Sequence, residues 1–552
     1  MPSIADLPRK PLDSGRGNAM TIAPVAAEYD TDVAIIGSGF GGSVAALRLS
    51  EKGYRVTVLE KGRRWSPADF PTSNWNIRES FWMPRLGCHG IWGLRLFRDA
   101  LVMHFVGVGG GSLGYANSHL EPHDSLWDDP RWRELEDWRR VMPAHYATAR
   151  RMLGSVPSPK LGEGDEALRR VAERKGFGGT FRPTSVGIYF GKPEVEVDDP
   201  YFGGAGPRRT GCTSCGACMV GCRVGAKNTL DQNYLYLAER LGATIVPETE
   251  IHLIQPLHGG GYLLPWRRST SLVGGERGAL RARKVVLSAG VLGSVPLLLD
   301  CKRTGALPHL SDHVGNVVRT NSEALLGITS RSKTGLWEGT AIQAEAHVDD
   351  RTRMEMVRFP KGSDTMLLLG TALTDGGSAV PRQLRWLGNL ARHPMQSLFV
   401  HKPWGKAEHS LVLLVMQTND NYTRLIRKRR LPWPFRPSLA SVPPRDQHRI
   451  PSYIPIANEV ARELGVELDA VPQSTLNEVL LDQSTTAHIL GGCAIAGSPD
   501  EGVIDLDFQV FGHPGLYVMD ATMIGANLGA NPSLTITALA EYACSRFPAK
   551  PV

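Results

Sequence analysis

Residues 32–60 read DVAIIGSGFGGSVAALRLSEKGYRVTVLE. The apolar run Asp32 to Ile36 leads straight into Gly37-Ser38-Gly39-Phe40-Gly41-Gly42. Ser43 to Lys52 then carries apolar residues at helical spacing, and Tyr54 to Leu59 is a second strand that ends on Glu60. Strand, glycine turn, helix and strand in this order open a doubly wound α/β nucleotide-binding domain. Gly37 permits the tight turn, Gly39 lets a pyrophosphate approach the backbone, and Gly42 lets helix and strand pack closely. The start of the helix offers free N–H groups to phosphate. Phe40 lies inside the turn and Lys61 directly follows the acid, and both count as cofactor-binding candidates. Glu60, about 20 residues beyond the turn, is placed to bond ribose hydroxyls. FAD and NAD share this fingerprint, so the stretch decides the fold and leaves the cofactor open.

Outward from this stretch, 552 residues exceed what one hydrophobic core supports, so two lobes around a cleft are expected. The net charge of +7 is spread over 62 basic and 55 acidic residues, which excludes a dedicated nucleic-acid binder. Met1 to Glu28 is polar, with Pro and Gly and no apolar segment; it reads as a disordered lead rather than a secretory signal. No run of 18 apolar residues is present, which removes a transmembrane helix. Four of the eight cysteines fall within eleven residues, a pattern suited to ligation in a reducing cytoplasm rather than to disulfides. A cytoplasmic location, peripheral to a membrane at most, is the expectation.

A second glycine loop, Val106 to Asn117 (VGVGGGSLGYAN), offers backbone at Gly110, Gly111 and Ser112 that could lie against a flat ring or a phosphate. Toward the C-terminus come His488 to Cys493 (HILGGC), Gly515 to Asp520 (GLYVMD) and Gly529 to Glu541 (GANPSLTITALAE). In this order, with the early fingerprint, the blocks resemble the glucose-methanol-choline (GMC) oxidoreductase family, most closely its cholesterol oxidase branch. The resemblance is strong over residues 32–62, 104–122, 284–296 and 484–545, and it is absent over 130–200 and 375–475.

The resemblance implies a tightly bound FAD and a doubly wound, Rossmann-like FAD-binding domain assembled from separated segments. Beside it stands a substrate-binding α+β domain with a mostly antiparallel sheet. The implied division is 29–130, 206–300 and 481–552 for the FAD-binding domain, the second piece including the cysteine loop. Residues 131–205 form a substrate-domain or lid insertion, and 301–480 the substrate-binding domain. Arg283 to Leu299 reads as a buried strand, a glycine turn and a helix start that return to the FAD-binding domain.

The resemblance also assigns roles. Asp520 matches the residue at the flavin's ribityl chain, and Glu250 with Ile251 the strand end whose backbone reads the adenine. His488 matches the active-site histidine, and Asn531 the partner amide that orients the alcohol beside the flavin. Glu355, in RMEMVRFP, matches a carboxylate proposed as general base. Asn321, in RTNSE, matches another active-site strand. Oxidising an alcohol needs a group that accepts the hydroxyl proton while the hydride leaves the carbon, and His or a carboxylate serves. A competing reading of Glu355, alternating with Met354 and Met356, is the solvent face of a strand. Where the branch continues Val-Asn-Gly after GGGSL, this chain has Gly114-Tyr115-Ala116-Asn117, with Asn117 the substitute for the flavin contact.

Cys212, Cys215, Cys218 and Cys222 have C-x2-C-x2-C-x3-C spacing, as in bacterial ferredoxins, although Arg223 stands where those have Pro. Three readings remain: an iron-sulfur cluster relaying electrons to a one-electron acceptor or redox partner, a structural zinc, or reduced thiols. Gly225 to Leu241 reads as a helix. Gln383 to Lys402 and Ile426 to Pro437 mix large apolar and basic residues. The first reads either as a core-facing helix with a solvated basic face or as a lid resting on a membrane. The expected activity is oxidation of a secondary alcohol, a 3β-hydroxysteroid or similar lipid alcohol. The alternatives are a non-steroid alcohol or sugar, and a non-catalytic electron-transfer subunit.

Overall fold

The strand Thr31–Ile36 is buried along its whole length and sits at the centre of a parallel sheet. Val56–Leu59 and then Thr244–Val246 flank it on one side. On the other side come Arg277–Leu287 and, beyond its last three residues, Leu516–Val518. The earlier half of Arg277–Leu287 instead pairs antiparallel with Tyr262–Arg268, which pairs with Thr249–Ile251. One long strand thus serves two partners in succession, and the switch brings the chain's C-terminal region into the nucleotide-binding sheet. The computed structural model describes residues 29–551 apart from 273, 431, 432 and 447, so the lead 1–28 lies outside the described residues.

The helix Phe40–Glu51 follows the glycine turn and buries Val44, Ala45, Ala46, Leu47 and Leu49. It packs against the nearly all-buried helix Ser533–Arg546, which in turn carries Trp138–Met152. Arg48 forms a two-pronged pair with Glu541 across this contact, and Tyr234 donates to the same carboxylate. Fixed, bidentate ion pairs of this kind tie elements from distant sequence positions into one register.

The second sheet is antiparallel, with seven strands in the order 370–372, 470–475, 324–330, 410–417, 352–357, 344–349 and 182–183. Alternation gives it two different faces. Leu326, Ile328, Met354, Met356, Leu413 and Val415 bury into a core under the helices Glu163–Arg174 and Pro455–Glu467. Leu325, Gly327, Thr329, Val357, Val412 and Leu414 turn the other way and roof a cavity.

Two sequence readings are corrected here. Gly225–Leu241 is not one helix: a 3-10 turn spans Leu230–Gln232 and the α-helix begins only at Tyr234, capped by Asn233. The cause lies at Lys227, whose buried ammonium donates to the carbonyls of Leu113, Tyr115 and Cys218 and holds the preceding backbone in an open loop. Gln383–Lys402 is broken into Arg382–Arg392 and Pro394–Val400, the second starting on its proline. Leu384, Leu387, Met395 and Leu398 on these helices are exposed, while Trp386 donates to Thr371 Oγ1 and Val400 is buried. The strands Arg424–Arg430 and Trp433–Val442 pair antiparallel.

Candidate active site

A cavity of about 530 Å³ runs from the glycine turn to the roof sheet. At its nucleotide end the wall is backbone. Gly37 has φ +99°, and a Cβ there would stand 2.4 Å from the carbonyl oxygen of Ser288. A Cβ on Gly42 would meet Gly37 O at 2.1 Å, and one on Gly41 would meet Met519 O at 1.7 Å. A Cβ on Gly39 would meet none of the described atoms within 4 Å, so that position faces open cavity. Gly110 approaches Gly39 closely, and Gly111 lies against Phe40, whose ring packs on Tyr115. Gly41 escaped the sequence reading, since only the strand 516–518 reveals what it must clear.

Glu60 lines this end, with one oxygen accepting from Ser38 N at 3.0 Å and the other from Gly62 N at 2.8 Å. Lys61 and Ile251 also line it. Asp520 accepts from Gly290 N and Ser294 Oγ on one oxygen and from Thr522 N and Oγ1 on the other. Burial raises this carboxyl above the usual aspartate range. Two sequence candidates are placed elsewhere. Ser112 is fully buried, donates to Gly109 O and accepts from Leu230 N. Asn117, at φ +69°, is buried outside the cavity wall with neither side-chain atom hydrogen-bonded among the described residues; Ala116 and Ser118 face the cavity instead.

His488 and Asn531 meet at the other end. They come from sequence-distant loops and are held by residues 319–323. Asn321 and Ser322 both take left-handed backbone (φ +59° and +48°), a conformation that costs about 1–3 kcal/mol per residue and persists where surrounding contacts enforce it. Asn321 donates to Ala530 O at 3.0 Å and accepts from Gly529 N at 2.9 Å, which fixes the loop bearing Asn531. Thr320 O accepts from Thr486 Oγ1, which accepts from His488 N. Glu323 accepts from Ala487 N through one oxygen, and its other oxygen contacts His488 Nδ1. Burial works against the charged imidazole, but the neighbouring Glu323 carboxylate and, less, Glu355 leave His488 above its usual value. Glu323 was not legible beforehand: nothing in RTNSE separates it from a surface glutamate.

Glu355 is fully buried, so the solvent-face reading is overturned. Met354 and Met356 enter the core under the helices, which turns Glu355 to the cavity side, behind the wall residues. Neither of its oxygens accepts a hydrogen bond among the described residues. Burial, with Glu345 adding repulsion, pushes its carboxyl up to about 8, while the nearby charges of Arg353 and His488 pull it back.

The cluster and zinc readings of Cys212, Cys215, Cys218 and Cys222 find no support here: among the described residues no three His, Cys, Asp or Glu side chains are grouped to hold a metal. All four are free thiols. Cys212, Cys218 and Cys222 pack with Val186, Ile188, Ala226 and Ala341, while Cys215 packs with Ala217, Phe359 and Leu367. Burial pushes Cys212 up to about 12 and raises Cys218. The loop's visible task is mechanical, because Lys227 ties Cys218 to the loop 113–115 beside the cavity.

Residues 444–540 match the model of the GMC oxidoreductase family, and residues 35–68 that of an NAD(P)-binding Rossmann-like domain. The chain is 44% identical to a cholesterol oxidase of Acinetobacter baumannii over 95% of both chains. It is 42% identical to a cholesterol oxidase of Mycobacterium tuberculosis over 94% of this chain and 92% of the other. The crystal structure of pyridoxine 4-oxidase from Mesorbium loti superposes with a TM-score of 0.61 at 16% identity, covering 94% of this chain and 99% of that one, and so shares the fold.

Proposed function

The chain belongs to the GMC oxidoreductase family and is an FAD-dependent alcohol oxidoreductase, and from that premise we propose that it oxidises a 3β-hydroxysteroid or similar lipid secondary alcohol to the ketone. One observation carries the substrate class: beyond His488 and Asn531 the cavity is roofed by Leu325, Val357, Phe359, Met366, Val412 and Leu414, an apolar lining suited to a rigid hydrocarbon. The two curated relatives carry the name of this activity.

The residues present fit FAD. The bare backbone at Gly37, Gly39 and Gly110 would take the pyrophosphate, Glu60 the ribose beside it, and Ile251 the adenine edge. Asp520 would hold the sugar chain at the junction of the two ends. When bound, FAD supplies the acceptor for the hydride leaving the alcohol carbon. The chain's own work is at the hydroxyl. Asn531 orients it, His488 takes its proton, and the packed roof excludes water from the reacting carbon. Glu355, held protonated at neutral pH, stands behind Asn531 as a neutral partner. The curated relatives are named oxidases, so dioxygen is the acceptor in this reading and the thiols of Cys212–Cys222 lie off the electron path.

The exposed leucines and Met395 on 382–400 complete the reading. These helices pack on the strand 370–372, which borders the cavity, and no acidic residue occurs from 376 to 407. They would rest on an anionic bilayer from which a lipid alcohol enters. No helix among the described residues is long and apolar enough to cross one. Steady-state rates with a 3β-hydroxysteroid, its 3α epimer and short secondary alcohols test the substrate class. The 3β compound should show the highest kcat/KM, and equal rates for a short alcohol would replace the lipid assignment.

A further inference from the structure

From the contact between Glu323 and His488 we infer that Glu323 is the positioning residue that fixes His488 with its Nδ1 proton turned inward, leaving Nε2 as the base that meets the substrate hydroxyl. The inference rests on the reading of His488 as the proton acceptor and adds what selects its tautomer.

Three observations carry it. The Glu323 side chain is completely buried, whereas that of His488 is 15% exposed, so the imidazole has a protein side and a cavity side. The protein side is Nδ1, facing the carboxylate; no hydrogen bond reaches Nε2 among the described residues. A carboxylate can only accept here, so the proton between the two belongs to Nδ1, and the neutral ring then carries its lone pair on Nε2. Glu323 is itself immobilised, by Ala487 N at 3.1 Å on its other oxygen and by the left-handed pair Asn321–Ser322 before it. A carboxylate that holds an imidazole in one tautomer also stabilises the imidazolium formed when the ring accepts a proton.

The arrangement divides labour with Glu355. The charged or titratable groups acting on His488 are Glu323 and Glu355. Those acting on Glu355 are Glu345, Arg353 and His488. Of Glu323 and Glu355, Glu323 is the one that hydrogen-bonds the ring among the described residues. In the reaction the alcohol O–H bond breaks toward Nε2 and the ring becomes imidazolium beside Glu323, while bound FAD would supply the acceptor for the C–H electron pair that leaves as hydride. The proton is later released from Nε2 to solvent, so atoms and charge balance.

The test uses holoenzyme labelled with [15N]histidine, the His488 resonances being those absent from His488→Asn. In the wild type, Nδ1 should carry the proton and Nε2 should titrate. In Glu323→Gln, which keeps shape but removes the charge, the titration should move to lower pH by about 1–3 units, as expected when an adjacent opposite charge is lost. The acid limb of the kcat/KM profile should move with it. The plateau rate should fall at least about tenfold, short of the ~10²- to 10⁴-fold loss of removing the base outright. Glu323→Asp should restore part of the limb's position. An Nε2-protonated neutral ring in the wild type, or an unmoved titration in folded Glu323→Gln, would overturn the inference. Because the spectra need no substrate, a wrong substrate assignment would leave this outcome readable.

Discussion

At the nucleotide end of the cavity Gly37, Gly39, Gly41 and Gly110 bring backbone to the wall, whereas at the reactive end Glu323, His488 and Asn531 bring side chains from three separate stretches of chain, with Glu355 buried behind the wall. The first end works by the absence of atoms, so any added carbon is felt. The second works by the placement of protons, so shape can be kept while chemistry is lost. The two ends should therefore fail in different ways.

The largest effect is expected at Gly41. A Cβ there would lie 1.7 Å from Met519 O, so Gly41→Ala must push the first helix off the sheet. We expect little soluble protein and no retained FAD, measured by the flavin-to-protein absorbance ratio. Gly39→Ala sharpens the contrast: its Cβ meets no described atom, so it should fold with unchanged circular dichroism yet bind FAD weakly. Normal flavin content in both would break the claim that this end is built by close backbone approach.

His488→Ala is next. FAD content should match the wild type while turnover drops by about 10²- to 10⁴-fold. A variant that turns over normally would remove His488 from the chemistry.

Glu355→Gln should do less, and do it at alkaline pH. The folded carboxyl sits near 8, above its usual 4.5. Its favourable contribution to stability is therefore complete below about 4.5 and is lost as pH rises through about 8. Thermal melts should show the variant gaining on the wild type from about pH 5 to about pH 9 as that buried charge is avoided. An alkaline fall in turnover near pH 8 should vanish in the variant, with plateau turnover retained; loss of all turnover would return the base role to Glu355.

The smallest effect on chemistry belongs to Met395→Asp with Leu398→Asp, far from both ends. Rates on detergent-dispersed steroid should stay unchanged while co-sedimentation with anionic vesicles falls. Undiminished sedimentation would remove 382–400 from the membrane-facing role.

The same division governs what could be read from the chain alone. The glycine turn was legible because strand, turn, helix and acid are contiguous and each glycine answers a local backbone demand. His488 and Asn531 were legible through family motifs around them. Glu323 was not, because its meaning comes from a histidine 165 positions later, and Glu355 was ambiguous because alternation alone cannot say which face of a strand meets the core. The cysteine run shows the opposite failure. Its spacing is specific, but among the described residues no metal-holding group forms, and the loop is held by the buried Lys227 and by apolar packing.

The central claim is that an alcohol bound in this cavity gives its hydride to FAD while His488 takes its hydroxyl proton. Mixing purified enzyme anaerobically with a 3β-hydroxysteroid, while following the flavin absorbance, tests it most directly. The account predicts full bleaching in the wild type, at least about 10²-fold slower bleaching in His488→Ala with the same FAD content, and recovery of the oxidised spectrum on admitting air. A fully loaded wild-type flavin that stays oxidised with every steroid and short secondary alcohol tried would contradict it.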